Sequence, residues 1–194
     1  MNILERVSFV LQQESKAIAA IKVDSTFEDA VLALASCKGR IVTTGIGKAG
    51  NVAANFASTL RATATAAYYM HPADAAHGDL GAIKNDDCLV AFSTSGKSVE
   101  VISAVKMAKE LGIKFVIGVT SHIDSEIRPF CDLVIDMGPI KEPCPLGLTP
   151  TSSAVVMHAI CDALTLSLLE QKGVSESDFG ARHHGGYLGQ RSNQ

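Results

Sequence analysis

Five short runs rich in β-branched and aliphatic residues, at 40–44, 66–70, 87–92, 114–119 and 132–136, recur with gaps long enough for a helix or an extended loop. Strands buried on both faces read as continuous apolar runs of this kind, so the pattern predicts a parallel sheet with helices on its faces. Ligands of such sheets are held by loops at the carboxyl ends of strands, where helix N-termini direct partial positive charge into a crevice. Two helices precede the first run. Ile3, Val7, Val10, Leu11, Ile18 and Ile21 keep helical spacing, and Ser25-Thr26-Phe27-Glu28 reads as the capping box of a second helix ending near Gly39. A last long helix is predicted from Thr149-Pro150 to about Glu170. It is apolar around most of its circumference, as in a helix buried in a core or a subunit interface. The stretch from Ser175 to Gln194 is polar and glycine-rich and cannot bury much alone.

The chain has 194 residues, 47% hydrophobic and 19% charged, which fits one domain with an ordinary core and excludes wholesale disorder. A net charge of −3 argues against nucleic acid or an anionic membrane as partner, while leaving room for a small anion in a local pocket. No cleavable apolar leader is evident, and no run reaches the roughly 20 uncharged apolar residues of a membrane span, so a cytoplasmic protein is expected. The five cysteines are odd in number and form no C-x-x-C pair, so they read as reduced, mostly buried thiols.

Ser93-Thr94-Ser95-Gly96-Lys97-Ser98 follows the third run and precedes an apolar-periodic helix. Four hydroxyls, a glycine and a helix N-terminus form a neutral cradle for a phosphate dianion, more than capping requires. The ending Gly96-Lys97-Ser98 nearly makes a nucleotide P-loop, with Asp136 able to pose as its acidic strand end. The match fails at Ala91, where the motif needs glycine. Gly45-Ile46-Gly47-Lys48-Ala49-Gly50 follows the first run and sets Lys48 at the crevice mouth, beside a helix N-terminus that disfavours its charge. His71 to Asp79 holds two histidines and two carboxylates; their spacing matches no metal signature and favours hydrogen bonding. Glu100 lies in the first turn of the helix after the serine loop, as a helix-stabilising carboxylate also would. Glu142, stiffened by Pro143 and Pro145 just before the last helix, suits a general base.

Gly45-Ile46-Gly47-Lys48, His71-Pro72, Ala76-His77-Gly78-Asp79-Leu80-Gly81, the serine loop, Glu142-Pro143-Cys144-Pro145-Leu146-Gly147, Thr149-Pro150-Thr151-Ser152-Ser153 and the terminal His-x-Gly-Gly closely resemble arabinose-5-phosphate isomerases of the sugar isomerase (SIS) superfamily. The resemblance implies an α/β, three-layer SIS fold: a five-stranded parallel sheet flanked by helices, as one domain over residues 1–194 without the CBS pair many relatives carry. It assigns catalysis to Lys48, Glu100, Glu142 and His183. Phosphate falls to Ser93, Thr94, Ser95 and Ser98, substrate contact to His77, and Gly47 and Thr65 are placed with the substrate-binding groups. His71 matches a histidine associated with zinc that activity does not require, so no cofactor is expected. Relatives pair subunits and share sites, so a homotetramer is expected, with His183 completing a neighbour's site; His184 stands where relatives usually have proline. The implied reaction interconverts ribulose 5-phosphate and arabinose 5-phosphate through a cis-enediol, for synthesis of Kdo in surface polysaccharide. The competing readings are another phosphosugar isomerase and a sensor that binds a sugar phosphate or sugar nucleotide without turnover.

Overall fold

The computed structural model describes residues 1–192; Asn193 and Gln194, the end of the polar tail, lie outside the described residues. Helix α1 (Ile3–Ala19) begins in a reciprocal cap, Asn2 Oδ1 accepting from the Glu5 amide and Glu5 Oε2 from the Asn2 amide, both at 2.9 Å. Helix α2 (Ser25–Ser36) starts differently from expectation. Asp24 is its cap, accepting from the Thr26 amide at 3.0 Å, so Ser25 lies inside the first turn and the Ser25–Glu28 box does not form. A carboxylate one residue upstream outcompetes the serine hydroxyl.

Strands β1 (Ile41–Gly45), β2 (Ala67–Met70), β3 (Cys88–Phe92), β4 (Phe115–Thr120) and β5 (Leu133–Asp136) form a wholly parallel sheet of order β2-β1-β3-β4-β5. Each lies within a residue or so of the apolar run that predicted it. Alternation then divides the core between the two faces. Val90 and Phe92 face α3 (Gly47–Ala62), α2 and α6 (Ser152–Gln171), where the Phe56 and Phe92 rings meet edge to face at 5.9 Å. Leu89 and Ala91 face α5 (Val99–Glu110), packing with Val101 and Val105. The order reverses direction between β1 and β3, which places the ligand crevice outside the carboxyl ends of those two strands.

Helix α6 has the length and mean hydropathy, 1.6, of a membrane span by composition alone, although it carries Asp162 and Glu170. Half of it is buried, with Val156, Met157, Ile160, Leu164 and Leu168 in the core, so its apolar character serves packing against α1, α2 and α3. It begins at Ser152, leaving Pro150 outside the helix. Between β2 and β3 lie the one-turn α4 (Pro72–Ala75) and a 3₁₀ turn, and a second 3₁₀ turn, Arg128–Phe130, precedes β5. The tail is more ordered than its composition suggests. Helices α7 (Glu176–Gly180) and α8 (Gly186–Ser192) pack on each other, and α7 opens with a Ser175/Asp178 capping box.

Candidate active site

A crevice of about 230 Å³ opens at the carboxyl ends of β1 and β3, lined by Lys48, Ser93, Thr94, Ser95, Ser98, His122, Ser153 and apolar neighbours. Three helices, α3, α5 and α6, start around it. Ser98 precedes α5 and Ile46 precedes α3, but neither side chain bonds to its helix, so both N-termini meet the crevice without a side-chain acceptor. An anion is the natural complement of such amides. The Ser98 hydroxyl instead lies 3.1 Å from that of Ser93, which accepts from the Gly96 amide at 3.1 Å, while Ser95 Oγ accepts from the Lys97 amide at 3.2 Å. The turn is tight because Gly96 sits at φ +65°, and a Cβ there would collide with that of Ser125. Ala91, the position that spoils a P-loop, is buried within β3 rather than in a turn.

Lys48 lies in the first turn of α3 and lines the same crevice. Its loop is drawn close to the strand end: a Cβ on Gly50 would meet the Gly45 carbonyl oxygen at 2.6 Å, and Tyr69 donates its hydroxyl to that oxygen at 2.8 Å. Gly47, at φ +60°, starts the helix.

Glu142 is not the free rim carboxylate expected of a poised base. It caps α6: Oε2 accepts from the Thr151 and Ser152 amides, both at 2.8 Å, and Oε1 from the Ser153 amide at 3.1 Å and its hydroxyl at 2.5 Å. Burial pushes its carboxyl up, but the Ser153 hydroxyl and these amides outweigh that and hold it below its ordinary value. It stands behind Ser153 in the crevice wall. Arg6 of α1 donates to the Pro143 carbonyl, tying the Glu142 loop to the first helix.

The other expected site residues are dispersed. Glu100 is exposed in the first turn of α5 and does not line the crevice. His77 is exposed after α4. Thr65 is not brought to the crevice of its own chain: it precedes β2, at the amino ends of the strands, where its hydroxyl accepts from Lys172 at 3.1 Å. His183 stacks on Phe179 with centroids 3.8 Å apart, its Nδ1 2.9 Å from the Phe179 carbonyl, and it does not line this crevice; His184 is exposed. His71 Nδ1 is buried and lies 3.7 Å from Asp74. Among the described residues there is no group of three or more candidate metal donors around His71 or elsewhere.

His122 and Ser153 were missed by sequence reasoning. His122 follows β4 as Lys48 follows β1, so the strand-end rule applied to the fourth strand would have found it. Ser153 carried no such signal, since its hydroxyl is aimed by a carboxylate eleven residues upstream.

The SIS domain family model matches residues 33–167. The chain belongs to the SIS-domain family. This SIS domain is 35% identical to the arabinose 5-phosphate isomerase KdsD of Pseudomonas aeruginosa over 98% of its own length and 61% of that protein's. It is 36% identical to the Francisella tularensis KdsD over 95% of its length and 57% of the relative's, so it spans about three-fifths of these curated relatives. Among solved structures, a candidate phosphosugar isomerase involved in capsule formation from Bacteroides fragilis superposes with a TM-score of 0.93 at 34% identity, covering 96% of this chain and 100% of that one. The E. coli CFT073 protein c3406 in complex with arabinose 5-phosphate superposes with a TM-score of 0.89 at 31% identity, covering 94% and 100%. The SIS fold, with its five-stranded parallel sheet flanked by helices, stands as the sequence led us to expect.

Proposed function

We propose that this SIS domain is an aldose–ketose isomerase that interconverts D-ribulose 5-phosphate and D-arabinose 5-phosphate through a cis-enediol. The observation that carries the reading is the crevice itself. A neutral hydroxyl-and-amide cradle and the ammonium of Lys48 line one small cavity, in a chain resembling arabinose 5-phosphate isomerases along nearly its whole length. The cradle anchors the phosphate through Ser93, Thr94, Ser95 and Ser98. Lys48 stabilises the enolate oxygen as charge develops there, and because that cation is built in, the chemistry as proposed takes no metal. A glutamate removes the carbon-bound proton. Glu142 can do so only by surrendering its bonds to α6, which Glu100 need not do, so solvent-deuterium exchange in Glu100→Gln and Glu142→Gln separates the two.

The site is proposed to be shared in a homotetramer. Helix α1 buries no residue within the chain, and Leu166 on α6 is 58% exposed, so both helices offer apolar faces to another copy. His183, from the tail, would then enter a neighbour's crevice and move the oxygen proton or open the sugar ring. The same reading makes the protein a cytoplasmic source of arabinose 5-phosphate for Kdo in a surface polysaccharide.

The test is an assay of ribulose 5-phosphate against a panel of pentose and hexose phosphates, with and without chelator. Turnover of the pentulose phosphate, unchanged by chelator, is expected. Faster turnover of a hexose phosphate would reassign the substrate, and binding without turnover at high protein concentration would make the domain a sensor.

A further inference from the structure

We infer that His122 is a phosphate-positioning residue whose ring brings a switchable positive charge to the serine-loop side of the crevice. The hydroxyl cradle is neutral, and the ammonium of Lys48 is engaged by the enolate in the proposed reaction, so a dianion there lacks a dedicated cation. His122 lines this crevice from the loop after β4. Its Nδ1 lies 3.1 Å from the Thr94 carbonyl oxygen and 2.9 Å from Ser121 Oγ. The carbonyl also accepts from the Ser121 amide at 3.0 Å, its hydroxyl at 2.9 Å and the Thr120 hydroxyl at 3.2 Å, so the exposed ring is tethered beside the phosphate loop.

A neutral ring has one N–H, which it cannot give at once to the Thr94 carbonyl and to an oxyanion. To keep Thr94 and also donate to phosphate, the ring must carry both protons and be cationic. Anion binding and ring protonation are therefore linked, so a lower pH favours the bound anion. The loop hydroxyls and amides do not titrate in the histidine range.

The charged groups around the ring are Lys48 on α3, Lys97 of the serine loop with Asp124 at 3.9 Å, and Arg128. Arg128 Nε donates to the His122 carbonyl at 2.8 Å, and its guanidinium pairs with Asp136 on β5 at 2.5 Å. Side chains of these types ordinarily keep their charge across the neutral range. Cys144, in the Glu142 loop, titrates near this range but does not line the crevice.

The probe is sulfate, a dianion at every pH used, titrated calorimetrically into the full chain at about pH 6 and pH 8, on either side of the ordinary histidine range. KM and kcat for ribulose 5-phosphate form the second arm, which, like the role given to Lys48, rests on the isomerase reading. His122→Asn keeps an N–H for Thr94 and loses Nε2; His122→Gln restores a neutral donor near Nε2. Wild type is expected to bind sulfate about tenfold tighter at the lower pH, with His122→Asn losing that dependence and about 10- to 100-fold in affinity there. KM should rise in His122→Asn while kcat stays within about threefold, and His122→Gln should recover part of the affinity without the pH dependence. Wild-type pH dependence in His122→Asn, no sulfate binding by wild type, or a fall in kcat at constant KM would overturn the proposal. If wild type fails to turn over the sugar, the isomerase reading falls while the sulfate arm still decides His122.

Discussion

Glu142 is held where a helix cap is wanted, and that makes its contribution to stability dependent on pH in a definite direction. Its carboxyl is depressed below the ordinary value of 4.5 by the Ser153 hydroxyl and the α6 amides, against the upward push of burial. A depressed carboxylate stabilises the fold at pH above its unfolded value, and the contribution disappears as pH falls through the folded one. Glu142→Gln should therefore cost about 1–2 kcal/mol near neutral pH, the ordinary worth of a cap, and the deficit should shrink below about pH 4.5. Urea unfolding of both proteins from neutral to acid pH measures this; a deficit constant with pH would show that the charge is immaterial. Cys144, two residues on, is the opposite of the buried thiol expected. The Thr149 hydroxyl and the Thr149, Leu148 and Leu146 amides lower it to about 6, whereas burial pushes Cys131 up to about 11 and Cys88 to about 12. Iodoacetamide at neutral pH should label Cys144 ahead of those two, with the rate rising through about pH 6. Peptide mapping by mass spectrometry would show it, and earlier labelling of Cys131 would refute it. Of the five thiols only Cys88 and Cys161 are buried.

Helix α3 is positioned by an absence of side chain. Gly50→Ala would drive a Cβ to 2.6 Å from the Gly45 carbonyl oxygen and 3.0 Å from the Tyr69 hydroxyl, so α3 must back away from β1. Overpacking of this kind costs about 1–3 kcal/mol, and the displaced helix start would carry Lys48 with it. We expect a lowered denaturation midpoint together with a fall in kcat; unchanged stability would mean that the loop relaxes freely. The same scale shows what the sequence could tell. Each strand lies close to its apolar run because burial on both faces writes itself into consecutive residues. Helix starts were less legible, because the deciding acceptors lay outside the local pattern. Asp24 displaced Ser25 as a cap, and α6 is capped by Glu142 from nine residues before Thr151. The helix α7 was readable in principle from Ser175 and Asp178, but the surrounding glycines masked it. In the crevice, the serine loop and Lys48 were visible because they directly follow strands. That Glu142 caps α6 could not be read, since a carboxylate's hydrogen-bond partners are invisible until the chain folds.

At the scale of the molecule, single-chain packing leaves work unfinished. Helix α1 shows Ile3, Leu4, Val7 and Leu11 all more than half exposed. If these faces join copies and the tail of one completes the crevice of another, two inactive variants should rescue each other. Co-refolded Lys48→Ala and His183→Ala subunits are expected to regain a substantial fraction of wild-type turnover, because some mixed sites carry both native groups. Activity no higher than the separate variants would confine the catalytic groups to one chain. The β1–β3 pairing also governs when the proposed activity could first arise. Lys48 and the serine loop, well separated along the chain, meet only when the third strand has docked against the first, skipping the second. A nascent chain on the ribosome could therefore hold no sugar phosphate until that non-adjacent strand is threaded home. If the proposed substrate binds there, it would recognise, and so preserve from proteolysis, only polypeptides whose sheet is already correctly wound.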